Sequence, residues 1–342
     1  MHRCLELAKE GAGFVAPNPM VGAVLLYNNT IIGEGYHRIY GKEHAEVNCV
    51  RSVKPADQSL ISQSRMYVSL EPCAHYGKTP PCTNLIIENK IPEVIIGCRD
   101  PFKQVDGKGI EKLQAAGVGV TVGVLEKEAL DLNRRFITFH THHRPYIILK
   151  WAQTANGKTG QQGSRLLISN DISNRLVHKW RSEEAAILVG THTALLDDPA
   201  LTNRLWTGAT PVRLVIDKEL RLPSSLQLFN RQQKTIVFNT IKHEEQDNLL
   251  YYQVTTDVNL VHQIVHALYQ LNIQSVLVEG GAQLLQSFID DDLWDEARII
   301  TNKELFADGL PAPVLLAGKW KKQDQFSTDT IDYIMNPKTV LH

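Results

Sequence analysis

The stretch EPCAHYGKTPPC, residues 71–82, follows the strand-like run RMYVSL (65–70) and enters PPCTNLIIENK (80–90), whose apolar spacing predicts a helix. A strand that passes to a helix through a loop is the repeating step of an alternating α/β sheet. Upstream, VGAVLLY (21–27) and TIIGEGY (30–36) flank Asn28-Asn29 and predict a β-hairpin, and HAEVNCVRSV (44–53) has helical spacing. Downstream, EVIIGC (93–98) and VGVTVGV (118–124) predict strands on either side of a helix over GKGIEKLQAAG (107–117), closed by Gly117. EKEALDLNRRFITFH (126–140) predicts one further helix. This order predicts a three-layer α/β/α domain over residues 1–143, with the polar, proline-terminated THHRP (141–145) at its end.

Past that boundary, YIILKWA (146–152), AAILVG (185–190), PVRLVID (211–217), KTIVFN (234–239) and SVLVEGG (275–281) predict short apolar strands between helix-like or turn-rich stretches. Residues 144–342 therefore predict a second α/β domain, and a chain of 342 residues has the length for two cores. No internal repeat relates the halves.

With 43% hydrophobic and 21% charged residues the chain has the composition of a folded globular protein. Its 36 basic and 37 acidic side chains leave a formal net charge of −1, which excludes a global field for a nucleic-acid backbone. MHRCLELAKEGAG reads as an amphipathic helix, and no window reaches the ~18 apolar residues of a membrane span, so the expectation is a cytoplasmic chain without a membrane partner. Five cysteines, an odd number, argue against a disulfide framework and leave thiols for metal or packing.

His44, Cys73 and Cys82 offer one imidazole and two thiolates, a ligand set that suits Zn²⁺ and leaves a fourth position for water. Zinc lowers the pKa of such a water from about 15.7 to about 7. His44 opens a predicted helix, Cys73 follows a predicted strand, and Cys82 falls in the first turn of the next helix, where free N–H groups favour thiolate. Glu46, on the same turn as His44, is placed to stay off the metal and carry a proton to a leaving nitrogen. H-x-E followed by P-C-x-x-C is the zinc nucleobase-deaminase signature, but eight residues separate the cysteines here, an insert that holds His75 and Lys78. On these residues alone, a deaminase of free nucleotides or tRNA bases and a zinc-stabilised binding module stay open. Cys4, Cys49 and Cys98 sit on apolar segments and read as buried packing groups.

PNPMVG (17–22), Gly35-Tyr36-His37, His44-Ala45-Glu46, EPCAHYGKTPPC (71–82) and Asp100-Pro101 together closely resemble the deaminase domain of the bifunctional deaminase/reductase family of riboflavin biosynthesis. The resemblance implies a cytidine-deaminase-like fold, one zinc ion per chain, and a phosphorylated pyrimidine substrate. It implies replacement of the amino group at carbon 2 of a diaminopyrimidinone ribosylamino 5′-phosphate by oxygen, with Glu46 moving the protons. It also implies substrate contacts from Asn18, His37, His75 and Lys78, the last two at the phosphate end. Many relatives have D-P-N-P where this chain has Asp100-Pro101-Phe102-Lys103.

In the second half no G-x-G-x-x-G follows a strand, so a Rossmann-type dinucleotide site has no support. SVLVEGGAQLLQSFI (275–289) predicts a strand, Gly280-Gly281 and a helix, a junction where backbone N–H groups can meet phosphate or simply form a tight turn. KWAQTANGK (150–158), HKWR (178–181), ILVGTHTALLDDPALT (187–202) and VEGG (278–281) resemble the reductase domain of the same family, in the same order. That resemblance implies a dihydrofolate-reductase-like fold that reduces the ribosyl group to ribitol with NADPH. It implies cofactor contacts from Ala152, Thr193, Asp197, Gly281, Ala282, Gln283, Leu284, Leu285 and Gln286. Arg181, Leu201, Arg204 and Glu279 are implied at the substrate, with Arg181 or Arg204 suited to its 5′-phosphate because a guanidinium binds phosphate bidentately. Leu167 stands where a tryptophan is frequent, and Gln286 near the place of a frequent glycine. The 40 or so C-terminal residues carry no usable motif. A homo-oligomer is expected only because such assemblies are common.

Overall fold

The hairpin forms between strands Gly22–Tyr27 and Thr30–Tyr36, and Asn28 and Asn29 both take the left-handed backbone (φ 43° and 64°) that so tight a turn requires. The structure is a computed structural model that describes residues 1–77, 79–103, 105–160 and 168–339. Contacts divide the chain into one unit over Met1–His143 and another that begins at Arg144.

Among the described residues of the first unit, five strands pair in the order Thr30–Tyr36, Gly22–Tyr27, Arg65–Leu70, Glu93–Cys98, Gly119–Val122. Gly22–Tyr27 is antiparallel to both neighbours, and the last three strands run parallel. Helices Ala45–Arg51, Cys82–Glu88 and Lys108–Ala115 pack side by side on one face over Leu25, Met66, Val68, Ile86, Ile96 and Leu113. Helices His2–Lys9 and Glu126–Leu132 close the other face over Leu70 and Cys98. Each parallel connection thus runs from the end of a strand to the start of a helix, which gathers the loop after Leu70 and the first turns of two helices at one edge.

The single helix expected over 126–140 is two helices, Glu126–Leu132 and Arg134–His142. The break is at Asn133, whose backbone (φ −101°, ψ 20°) leaves the helical path. Its buried side chain is spent elsewhere: Oδ1 accepts from Met20 N at 2.8 Å and Nδ2 donates to Met20 O at 2.9 Å. Helical spacing carries no information about such a clamp.

The second unit is built on a sheet of ten described strands. From one edge these are Glu244–Gln246, Leu249–Gln253, Thr235–Asn239, Val212–Ile216, Ala186–Val189, Ser275–Val278, Tyr146–Gln153, Glu296–Thr301, Asp329–Met335 and Lys319–Phe326. The central strands are parallel and buried on both sides, as their continuous apolar runs require. The C-terminal part without a motif supplies the last two strands as an antiparallel hairpin. Its outer strand, KWKKQDQF, is exposed and lysine-rich, a composition that protects a sheet edge and obscures it in the sequence.

Candidate metal centre and second site

Cys73 lies just after strand Arg65–Leu70, and Cys82 is the first residue of helix Cys82–Glu88. The first-turn N–H groups of that helix hold Cys73 in place: Cys82 N donates to Cys73 Sγ at 3.3 Å and Thr83 N to Cys73 O at 3.2 Å. His44 precedes helix Ala45–Arg51 with extended backbone, and its ring turns Nδ1 toward both sulfurs, 3.6 Å from Cys73 Sγ and 3.4 Å from Cys82 Sγ. His44 Nε2 faces Thr79 Oγ1 at 3.5 Å. The three ligand atoms lie within 4.8 Å of one another. A tetrahedral zinc with the usual N and S bond lengths needs its N and S ligands about 3.6 Å apart, so His44 Nδ1 stands at the right distance from both sulfurs and the donor set fits Zn²⁺.

Cys82 and His44 draw the Cys73 thiol well below its ordinary range, whereas Cys73 and burial push the Cys82 thiol up. Cys73 in turn raises the basicity of His44. Glu46, 3% exposed, has its carboxyl pushed above the ordinary range by burial, partly offset by His44.

His37 and Asn18 stand beside this cluster. The rings of His37 and His44 meet edge-on with centroids 5.4 Å apart, and Asn18 Nδ2 lies 3.1 Å from His37 Nε2. His37 Nδ1 lies 3.0 Å from Glu43 O, and burial keeps the imidazole neutral. Nδ1–H therefore donates to the carbonyl, and Nε2 accepts from Asn18. His75 packs edge-on to Phe102, whose ring continues to His140, and His75 Nδ1 is buried with no partner among the described residues. Lys78 lies outside the described residues.

Sequence reading missed Glu71, whose buried carboxylate accepts from the backbone N–H of Asp100, Gly107, Gly109 and Ile110 at 2.9–3.3 Å. It ties the cysteine loop to the start of helix Lys108–Ala115. Gly109 permits the approach, because a Cβ there would lie 2.1 Å from Pro72 O. The only hint was an acidic residue directly ahead of Pro72-Cys73.

In the second unit, Glu279 sits just past strand Ser275–Val278, and its carboxylate receives both arms of Arg181, Nε at 2.8 Å and Nη2 at 2.7 Å. Buried Lys150, from strand Tyr146–Gln153, is 3.7 Å away. The Arg181 and Lys150 charges overcome burial and hold the Glu279 carboxyl at about 2. Arg181 is thereby committed to Glu279, while the exposed Arg204 makes one side-chain hydrogen bond, to Thr202 Oγ1 at 3.0 Å. Leu201 is buried.

Gly281 (φ 73°) caps helix Ala282–Asp290, so the N–H groups of its first turn are free of helical partners. Thr193 and Asp197 lie on helix Thr191–Asp197, and Thr193 packs against Gly280. Ala152 is half-buried on its strand. Leu284 is half-buried, and Gln283 is exposed. Leu285 faces the core and spends its N–H on Gly281 O, so any part it takes at a ligand is indirect. Gln286 binds the backbone of Val314, accepting its N–H at 2.8 Å and donating to its carbonyl at 3.3 Å.

Residues 1–98 match the cytidine and deoxycytidylate deaminase zinc-binding region, and residues 145–303 match the RibD C-terminal domain. The riboflavin biosynthesis protein RibD of Aquifex aeolicus is 39% identical over 317 residues, covering 91% of this chain and 88% of that protein. The chain belongs to the RibD family. RibD of Escherichia coli is 31% identical and spans 100% of this chain and 97% of its own length. A Thermotoga maritima crystal structure, described as a diaminohydroxyphosphoribosylaminopyrimidine deaminase/5-amino-6-(5-phosphoribosylamino)uracil reductase, superposes with TM-score 0.88 at 35% identity, covering 98% of this chain and 97% of that one. As a RibD protein the chain is a bifunctional enzyme of riboflavin biosynthesis, with a zinc-binding deaminase domain of cytidine-deaminase-like fold and a reductase domain of the NADPH-using RibD type. No described helix is long and apolar enough to cross a membrane.

Proposed function

We propose that residues 1–143 replace the 2-amino group of a diaminopyrimidinone ribosylamino 5′-phosphate by oxygen, and that residues 144–342 then reduce the ribosyl group to ribitol. Glu46 carries the first half of this reading: a buried carboxyl with raised proton affinity, on the same turn as His44. His44 Nδ1 and the sulfurs of Cys73 and Cys82 would hold zinc, which supplies hydroxide by lowering the pKa of its water to about 7. Glu46 would take a proton from the attacking water and pass it to the ring nitrogen. The second proton goes by the same carboxyl to the amino group, which leaves as ammonia, and the oxygen stays on carbon 2. Asn18 and neutral His37 would orient the pyrimidine, and His75 Nδ1, buried without a partner among the described residues, would meet the phosphate with Lys78.

In the reductase half, NADPH brings the hydride, and the protein supplies position and charge. The free N–H groups after Gly281 suit the cofactor's phosphates, with Ala152, Thr193, Asp197 and the 281–286 stretch around it. Arg204 is better suited to the substrate phosphate than Arg181, whose fork is filled by Glu279. Five cysteines without disulfides suit a cytoplasmic enzyme, and the reading includes a homo-oligomer.

Glu46→Gln tests the deaminase assignment. The expected result is zinc retained at one ion per chain, ammonia release reduced by roughly 10²–10⁴-fold, and NADPH oxidation with pre-deaminated substrate unchanged. Loss of zinc makes Glu46 a ligand and overturns its role as proton carrier, as does undiminished ammonia release.

A further inference from the structure

The backbone of Arg204 is held by a residue to which neither the motifs nor the comparisons give a role. Its N–H donates to His178 Nδ1 at 3.0 Å. His178 is 2% exposed and lies on helix Asp171–Glu183, three residues ahead of Arg181 and on the same face. The turn it grips is not relaxed. Leu201 adopts φ 49°, a left-handed backbone that a branched side chain rarely takes, and does so with its side chain sunk into the apolar cluster of Ile187, Val189 and Val215. Thr202 O accepts from Arg181 Nη1 at 3.4 Å, so two neighbouring residues of one helix fasten the turn to the Glu279 cluster.

We propose that His178 is a positioning residue of the reductase, its Nδ1 fixing the 201–204 turn so that the Arg204 guanidinium is presented to a phosphorylated substrate. The proposal rests on the reading of Arg204 as the phosphate ligand. An imidazole serves here only while Nδ1 is unprotonated, since a protonated Nδ1 would oppose the Arg204 N–H. The groups around it enforce that state: burial and the charges of Arg181, Arg204 and Lys150 disfavour an imidazolium, and Glu279 alone favours one. Held in this way, Arg204 distinguishes phosphorylated from unphosphorylated substrates. With a loose turn the same arginine would have to be ordered anew at each encounter.

The test uses the full-length enzyme with NADPH and the deaminated pyrimidine, in its 5′-phosphorylated and dephosphorylated forms. His178→Leu removes the acceptor, whereas His178→Asn keeps an acceptor oxygen at the same remove from the backbone. His178→Leu is expected to raise KM for the phosphorylated substrate about tenfold, with kcat and KM for NADPH within about twofold and the dephosphorylated substrate unaffected. His178→Asn should bring KM back to within about threefold of the parent. The proposal is overturned if His178→Asn is as impaired as His178→Leu, if His178→Leu is unchanged, or if His178→Leu loses kcat and NADPH affinity together. Arg204→Ala separates the two layers. A raised KM there beside an unchanged His178→Leu removes the proposal alone, and an unchanged KM in Arg204→Ala removes the phosphate reading and the proposal with it.

Discussion

The His44, Cys73 and Cys82 cluster and the Lys150, Arg181 and Glu279 cluster are both largely buried trios, and they are completed in opposite ways. In the first, an imidazole nitrogen faces two sulfurs at 3.4 and 3.6 Å, three lone-pair donors turned toward one point, which is the arrangement that holds a cation. In the second, one carboxylate satisfies both arms of a guanidinium and faces an ammonium, so the anion needs no added ion to be paired. With two cations and one anion, that trio keeps one net positive charge. The first trio, by contrast, is a socket for one ion. A ligand-hungry cluster and a self-paired one should therefore respond differently to the loss of a member.

The largest expected effect is on the socket. Cys82→Ala should abolish stoichiometric zinc binding and lower deamination by roughly 10³-fold or more, with reduction of pre-deaminated substrate unchanged; metal analysis beside both assays reads this. Retention of one zinc per chain would mean that two ligands suffice. Next in size is Glu279→Gln, which leaves Lys150 and Arg181 buried together without their anion. The second unit should lose about 3–5 kcal/mol in denaturant unfolding, with zinc content and ammonia release intact. A loss below about 1 kcal/mol would show that the trio relaxes into water and is not a paired, buried group.

Asn133→Leu should cost less, about 1–3 kcal/mol for each Met20 group left without a partner, and should raise KM for deamination through the 17–22 loop while zinc remains bound. Unchanged KM with lowered stability would reduce the clamp to packing. The smallest effect is in acid. Each unit carries one histidine that burial lowers to about 4, His140 in the first and His178 in the second. Their unfolded value is 6.5, so the unfolded chain takes up protons first, and stability present above pH 6.5 is lost as pH falls toward 4. His140→Leu should flatten that decline for the first unit only. An unaltered slope would show that His140 titrates normally despite its contacts with Phe102, Phe136 and Phe139.

The same contrast explains what the amino-acid order revealed. Donors for a metal must be particular residue types, and here they lie at a strand end and two helix starts within residues 44–82, so pattern and chemistry could be read together. Glu279 and Arg181 are ordinary charges 98 residues apart, joined only because their helix packs on the sheet that holds the strand, and resemblance had to stand in for geometry. Asn133, Glu71 and His178 act on backbone N–H and C=O groups, which every residue has, so no pattern marks their targets. The strands were legible because apolar runs fix them. The helix break at Asn133 and the lysine-rich edge strand were not, because a distant hydrogen bond and a sheet neighbour decide them.

The clamp from Asn133 to Met20 also has a meaning in time. A ribosome delivers the chain from its N-terminus, so His44, Cys73 and Cys82 are all present once residue 82 has emerged. The loop that carries Asn18 is not pinned until Asn133 follows, 113 residues after the methionine it holds. The nascent chain therefore acquires the means to capture its metal well before it can shape the pocket beside it, and a residue made late in the first unit completes a loop near its beginning.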